Sequence, residues 1–184
     1  MKNSIKESIL EKRNSLSGQD IIEKSQKIHE TLFNSDYYKK SKTIMFFVSF
    51  SNEINTHEMI KNSLGKKTVV VPKVIGHEIE PSVIIDFENL VPTGKFSIPE
   101  PIGTMKIAYK NIDLVLVPAI AYDLEGHRIG YGFGYYDKLL KKLPKALKIG
   151  LCFDFQIVDK IPNEEHDVAV DFIITEKRVV ECRK

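Results

Sequence analysis

The sequence predicts an α/β fold: a three-layer α/β/α arrangement, in one compact domain, around a mainly parallel central sheet. Three observations carry this expectation. Short runs such as Thr43–Val48, Thr68–Pro72 and Asp113–Pro118 are nearly continuous in β-branched and apolar residues, the mark of strands buried on both faces. Segments of helical periodicity separate them, as a parallel sheet with crossover helices requires. The chain has 184 residues, 42% of them hydrophobic, and shows no repeat, low-complexity segment or linker, so one domain is the simplest division.

Each element follows from local chemistry. Residues 1–40 read as two helices that pack on the sheet. Ile5, Ile9 and Leu16 line the first, and Ile21, Ile28 and Leu32 line the second. Ser17-Gly18-Gln19-Asp20 between them has the form of a capping box. After the run at Thr43–Val48, a short helix is expected over Asn55–Leu64, with Asn55 as N-cap and Gly65 as stop. Thr68–Pro72 and Ile79–Asp86 read as strands. Residues 87–112 read as irregular, broken by Pro92, Gly94, Pro99, Pro101 and Gly103. Asp113–Pro118 is the clearest strand. A glycine cluster follows it, then a helix over Tyr135–Leu143, then strands near Leu147–Leu151 and Phe172–Thr175.

Composition narrows the function classes. With 27 Lys+Arg against 25 Asp+Glu, the formal charge is +2, which argues against a whole-chain nucleic-acid binder. The basic run Lys138, Lys141, Lys142, Lys145 and Lys148 reads as a solvated face. No apolar stretch reaches the roughly 18 to 20 residues of a membrane span, and no secretory h-region is visible. Two cysteines, Cys152 and Cys182, do not make a disulfide framework. These features lead to the expectation of a cytoplasmic protein with no nucleic-acid or membrane partner. Five histidines without paired ligand spacing argue against a zinc site.

The unevenness lies in one place. Four of the ten glycines (Gly126, Gly130, Gly132, Gly134) and four of the seven tyrosines fall between positions 122 and 136, between a buried strand and a helix. Ligands of open α/β sheets bind at such carboxyl ends. Glycine at alternate positions lets the backbone approach an anion and aim several N–H groups at it, and Arg128 offers a planar cationic fork for phosphate oxygens. Close packing alone is the competing explanation. The spacing is neither that of a Walker A loop nor that of a dinucleotide fingerprint. Asp137, one turn into the helix, would repel a polyphosphate unless a cation lay between them. Magnesium takes one or two carboxylates plus phosphate oxygens and water, whereas the alternative role for Asp137 is complementing the helix N-terminus. Asp167 is a second candidate carboxylate.

The stretch from Arg128 to Asp137, Arg-Ile-Gly-Tyr-Gly-Phe-Gly-Tyr-Tyr-Asp, with Val117-Pro118 and Tyr122-Asp123 before it, resembles the signature of the 5-formyltetrahydrofolate cyclo-ligase family. Further matches run in order along the chain: Asn52-Glu53-Ile54, Phe96–Pro101, Gly150–Phe153 with Gln156, and His166-Asp167 with Asp171. The resemblance implies an ATP- and Mg²⁺-dependent enzyme that converts 5-formyltetrahydrofolate to 5,10-methenyltetrahydrofolate and releases ADP and phosphate. It implies that Lys2, Lys6, Arg128, Ile129, Gly130, Tyr131, Gly132, Phe133, Gly134, Tyr135 and Tyr136 meet ATP. Val48, Glu53, Tyr131, Gly132, Phe133, Gly134 and Tyr135 would meet the folate. Arg128, Tyr135 and Tyr136 would serve catalysis, and Asp137 and Asp167 would hold the metal. Lys6 stands where the family has Arg, Ala119-Ile120 departs from its Pro-Gly-x-Ala-Phe segment, and Lys138 replaces an Arg.

The implied chemistry needs no protein nucleophile. The formyl oxygen attacks the γ-phosphate, N10 attacks the resulting N5-iminium phosphate, and phosphate leaves; the protein aligns atoms and neutralises charge. Alternatives from other classes are the same chemistry on a methanopterin-like carrier, or a non-catalytic folate- or nucleotide-binding protein. The chain is expected to act as a monomer.

Overall fold

A computed structural model describes residues 2–93, 97–103, 105–164 and 167–182. Phe96 and His166, both part of the matched segments, lie outside the described residues. The elements in order are α1 (Lys2–Asn14), α2 (Gly18–Asn34), α3 (Asp36–Lys40), β1 (Thr43–Met45), α4 (His57–Ser63), β2 (Thr68–Ile75), β3 (Glu78–Ile84), β4 (Leu90–Thr93) and β5 (Ile98–Pro101). They continue with β6 (Leu114–Val117), β7 (Ala121–Asp123), β8 (Arg128–Ile129), α5 (Tyr135–Lys141), β9 (Leu147–Leu151), β10 (Ile157–Val158), β11 (Phe172–Ile174) and β12 (Val179–Glu181).

Seven strands form the main sheet in the order β12-β11-β9-β6-β1-β2-β3. The five central strands run parallel, and β3 and β12 close the edges antiparallel. Period-2 geometry divides each strand between two cores. Ile44, Val69, Leu114, Leu116, Ile149 and Ile174 face α2, α3 and α4, whose Ile28, Leu32, Tyr38, Met59 and Ile60 complete one buried cluster. Met45, Val70, Val115, Val117 and Ile173 face Leu139, Leu140 and Leu143 in a second. Both faces are covered, so the apolar runs have no polar face to alternate with. A third, smaller cluster joins Ile9 of α1 to Ile120, Ala121, Ile129 and Ile161. It holds α1 against a separate three-stranded sheet, β10-β7-β8.

The capping box forms as expected: Asp20 N–H donates to Ser17 Oγ at 3.1 Å, and Ser17 N–H donates to the Asp20 carboxylate at 3.0 Å. Other local readings shift. α4 starts two residues later than expected, at His57, with Thr56 as its N-cap residue. Asn55 instead accepts the His57 N–H in a local turn. The segment 87–112 holds a two-stranded hairpin, β4 with β5, in which Pro92 and Pro99 face each other on a ribbon that does not join the main sheet. Lys148, read as part of a solvated face, is buried, with Nζ donating to the Ala146 carbonyl.

The β2-β3 hairpin runs past the sheet. Only Thr68–Val70 pair with β1, while β3 follows β2 as far as Ile75. Its far end is tied to α5: Lys138 Nζ donates to the His77 carbonyl, and Lys142 Nζ pairs with Glu78 at 2.7 Å.

Gly150 has a packing reason. Its missing Cβ leaves room for the Tyr122 ring, fully buried, whose hydroxyl donates to the Val117 carbonyl at 2.8 Å. A Cβ there would lie 2.6 Å from Tyr122 Cζ. Gly150→Ala is therefore expected to lower stability by about 1–3 kcal/mol, seen as a lower urea midpoint at unchanged m-value. In a Tyr122→Leu background the same substitution loses most of its effect.

Candidate active site

Along the sheet, β2 lies to one side of β1, while β6, β9 and β11 follow on the other. The topology reverses between β1 and β6, and ligands of open α/β sheets sit at such a switch point. A cleft of about 800 Å³ opens there. Phe47 and Val48 after β1 and Pro118 after β6 line its base. Residues 128–137 line one side, and Pro72, Val74 and Ile79 of the β2-β3 hairpin, with Thr93, Ile98 and Glu100, line another. Lys2 and Lys6 of α1 and Glu164 and Asp167 also line it. All fifteen positions singled out from the sequence, from Lys2 to Asp167, border this one cleft.

Glu53 anchors the apolar side. It is 7% exposed and follows a turn whose Ser51 takes a left-handed φ of 52°. The Phe50 N–H donates to Glu53 Oε2 at 3.1 Å, and the Tyr131 hydroxyl donates to Oε1 at 3.1 Å. Burial pushes the Glu53 carboxyl above its ordinary value, and the nearby Arg13 charge and these two hydrogen bonds pull it back down. Buffered between Glu53 and Arg13, the Tyr131 phenol is pushed up to about 12, chiefly by burial. Burial also drives the Tyr136 phenol up, so it stays a neutral hydroxyl.

The glycine loop owes its course to backbone freedom. Gly132 and Gly134 adopt φ of 102° and 68°, left-handed values that L side chains resist. No heavy atom lies within 4 Å of where a Cβ would stand at either, or at Gly130. The loop is held from α1: Lys6 Nζ donates to the Tyr131 carbonyl at 3.2 Å, and Arg13 donates to the Tyr131 hydroxyl at 2.6 Å. Phe133 is 56% exposed at the cleft and stacks on Tyr135 at 5.7 Å.

Arg128 and Asp137, read separately as a phosphate fork and a metal carboxylate, pair with each other. One Arg128 nitrogen donates to Asp137 Oδ1 and the other to the Val168 carbonyl at 2.6 Å. Lys2 Nζ stands 3.8 Å from Asp167, which also accepts the Glu164 N–H at 2.9 Å. Two carboxylates in a cation-rich cleft would suit a hard, oxygen-seeking ion that takes the rest of its shell from phosphate and water; among the described residues they do not form an all-protein cage. A different acidic group, Asp123, Glu125 and His127, brings its ligand atoms within 4.8 Å of one another. There the Asp123 oxygens already accept the N–H groups of Glu125, His127 and Ile161 and the His127 ring Nδ1. That carboxylate staples the β7-β8 turn to the segment leading towards Asp167.

The model of the 5-formyltetrahydrofolate cyclo-ligase family matches residues 1–176. The chain belongs to that family. The solved structure of an Aquifex aeolicus 5,10-methenyltetrahydrofolate synthetase is 33% identical, with a TM-score of 0.89 over 100% of this chain and 93% of that one. A Mycoplasma pneumoniae 5,10-methenyltetrahydrofolate synthetase structure is 28% identical, with a TM-score of 0.76 over 95% and 98%. The mouse 5-formyltetrahydrofolate cyclo-ligase is 25% identical over 95% of this chain and 93% of its own length. The reading of the chain as an enzyme of this family, on a mainly parallel α/β fold, therefore stands. No helix among the described residues is long and apolar enough to cross a membrane.

Sequence reasoning had passed over Arg13, and two C-terminal matches gained a physical reason. Gln156 donates to the carbonyls of Ala119 and Ile120 at 3.1 and 2.9 Å, fixing the segment that departs from the cyclo-ligase pattern. Asp171 accepts the Lys148 N–H and so ties β9 to β11.

Glu53 makes a stability prediction with a definite sign. Its folded pKa lies above the ordinary 4.5, so the native state keeps this proton to a higher pH than the unfolded chain does. Its contribution to stability is full below that ordinary value and is lost as pH rises through the folded one. Glu53→Gln removes this loss. Thermal melts should show little difference near pH 4 and a higher Tm for the variant by about pH 7 to 8.

Proposed function

We propose that this chain is an ATP-dependent 5-formyltetrahydrofolate cyclo-ligase forming 5,10-methenyltetrahydrofolate, ADP and phosphate. The observation that carries the reading is a division of labour within one cleft. The buried carboxylate Glu53 lines it with the apolar Phe47 and Val48, and Lys2, Lys6, Arg128, Asp137 and Asp167 line it too, together with the glycine loop. Glu53 would accept hydrogen bonds from a pterin's amino and ring N–H groups, while Val48 and Phe47 supply an apolar base. Lys2, Lys6 and Arg128 would meet the phosphates, with N–H groups of the open glycine loop beside them. Tyr135 and Phe133 offer aromatic faces to a flat ring.

Among the described residues the cleft lining contains no serine, cysteine or histidine. That suits a reaction whose nucleophiles both belong to the substrate. The formyl oxygen attacks the γ-phosphorus and ADP departs, leaving an N5-iminium phosphate. N10 then attacks the formyl carbon, the C–O bond breaks with release of phosphate, and the N10 proton is lost as the methenyl bridge forms. The chain's residues hold the oxygen in line with phosphorus and counter charge on the transferring group. Asp137 and Asp167 would hold magnesium, which supplies charge neutralisation on the phosphates. The Arg128 guanidinium would restrain Asp137, keeping the carboxylate oriented in either state of the site.

The test is a mixture of protein, 5-formyltetrahydrofolate and Mg-ATP, followed by the near-ultraviolet methenyl absorption. An ATP-dependent band is expected; folded protein that binds the folate without producing the band would overturn the reading in favour of storage. Asp137→Asn should lower kcat/KM roughly tenfold at limiting Mg²⁺, about 1.4 kcal/mol in barrier, and recover part of it as Mg²⁺ is raised. A loss due only to the broken Arg128 pair would not respond to the metal, and full activity at limiting Mg²⁺ would remove Asp137 from the metal site.

A further inference from the structure

Arg13 is a charged residue where a helix should be apolar. It is 4% exposed, in the last turn of α1, and its Nε–H is buried with no hydrogen-bond partner among the described residues. Leaving such a group unsatisfied is expensive, most of all for a charged one, so the guanidinium serves something other than packing. Among the described residues its guanidinium donates to the Tyr131 hydroxyl, at 2.6 Å. That hydroxyl in turn spends its proton on Glu53 Oε1, at 3.1 Å. The phenol thus uses one acceptor and its only donor, and the direction of the chain is fixed: cation to phenol to carboxylate.

We propose that Arg13 is a positioning residue for the substrate carboxylate, acting through the Tyr131 hydroxyl to hold Glu53 ionised and oriented in the folate cleft. The inference rests on the cyclo-ligase reading for the identity of the ligand, but the relay itself is a property of the empty protein. The groups facing Glu53 are few. Arg13 comes from α1, and Tyr131 and Tyr136 come from the glycine loop and the start of α5. Lys6 stands as far from the Tyr131 ring centre as Arg13 does, 6.0 Å, but its Nζ donates to the Tyr131 carbonyl, whereas Arg13 reaches the hydroxyl. Phe50 packs on that ring at 5.4 Å and supplies the N–H to the second Glu53 oxygen. Arg13 is therefore the cation joined to Glu53 through the phenol oxygen. A pterin presents N–H donors, so it needs an acceptor; a protonated Glu53 would place a donor against a donor.

The experiment reads Glu53 directly and then through catalysis. The ¹³C carboxyl signal of Glu53, assigned by its loss in Glu53→Gln, is titrated in the substrate-free protein. Arg13→Met, which keeps a stem and removes the charge, should raise the midpoint by about one pH unit. Tyr131→Phe should move it the same way with the ring packing kept, and Arg13→Lys should restore part of the wild-type value. In turnover assays, KM for 5-formyltetrahydrofolate in Arg13→Met should rise up to about tenfold on the acid side and converge on wild type at high pH, with kcat changing less. In a Glu53→Gln background Arg13→Met should add no further pH-dependent effect, the non-additivity expected of one linked chain.

An unchanged midpoint in folded Arg13→Met overturns the proposal. So does a KM increase that is uniform in pH and persists in Glu53→Gln, which marks a structural role alone. Should Arg13→Met not fold, Tyr131→Phe decides, since no shift there breaks the relay. If wild type shows no ATP-dependent methenyl band, the cyclo-ligase reading fails while the carboxyl titration still judges the relay.

Discussion

Five parallel strands buried on both faces leave little freedom in where chemistry can go. Their side chains are committed to two apolar cores, so polar groups that must meet a ligand are confined to the segments leaving the carboxyl ends. β1 and β6 diverge in their connections, and the gap between those segments becomes the cleft. Glu53 leaves one side of the gap; Pro118, the β7-β8 turn and the glycine loop leave the other. The positions of Glu53 and the glycine loop follow from that one reversal in strand order, while α1 brings Lys2 and Lys6 to the same gap.

Within the gap, charge is handled locally. A chain of net +2 has no basic field with which to gather anions, so it relies on short-range pairs. Lys2 stands by Asp167, Arg128 holds Asp137, and Arg13 reaches Glu53 through a phenol. Each carboxylate of the cleft with a role proposed here has a cation assigned to it. Such pairing fixes the orientation of the carboxylates before a ligand arrives, and at Glu53 the Arg13 charge offsets part of the effect of burial.

The parallel core and the glycine loop were legible in sequence because each has a strong local signature: unbroken apolar runs for the strands, alternate glycines for the loop. The small sheet was not. β8 and β10 are two residues each, and pairings that short carry no periodicity. The β4-β5 hairpin was hidden by its prolines, which are tolerated because that ribbon stands apart from the main sheet. Arg128 and Asp137 could be named but not joined, since the irregular loop 130–134 between β8 and α5 gives no angle between side chains. Arg13 left a trace that went unused. It lies four residues after Ile9 and seven after Lys6, on the stripe of α1 that packs inward, where a cation is out of place.

The hairpin that overshoots the sheet gives the cleft an unusual mechanics. Beyond Val70 the β2-β3 ribbon is a cantilever, with its root in the sheet and its free end tied by Lys138 and Lys142 to α5. The helix that holds the free end is the one that begins where the glycine loop stops. The two opposing walls are therefore joined behind the cleft as well as at its base, like the jaws of a spring clip. Widening the mouth for a bulkier ligand would strain the glycine loop, so under the proposed function the fit of the folate would be felt in the grip on ATP.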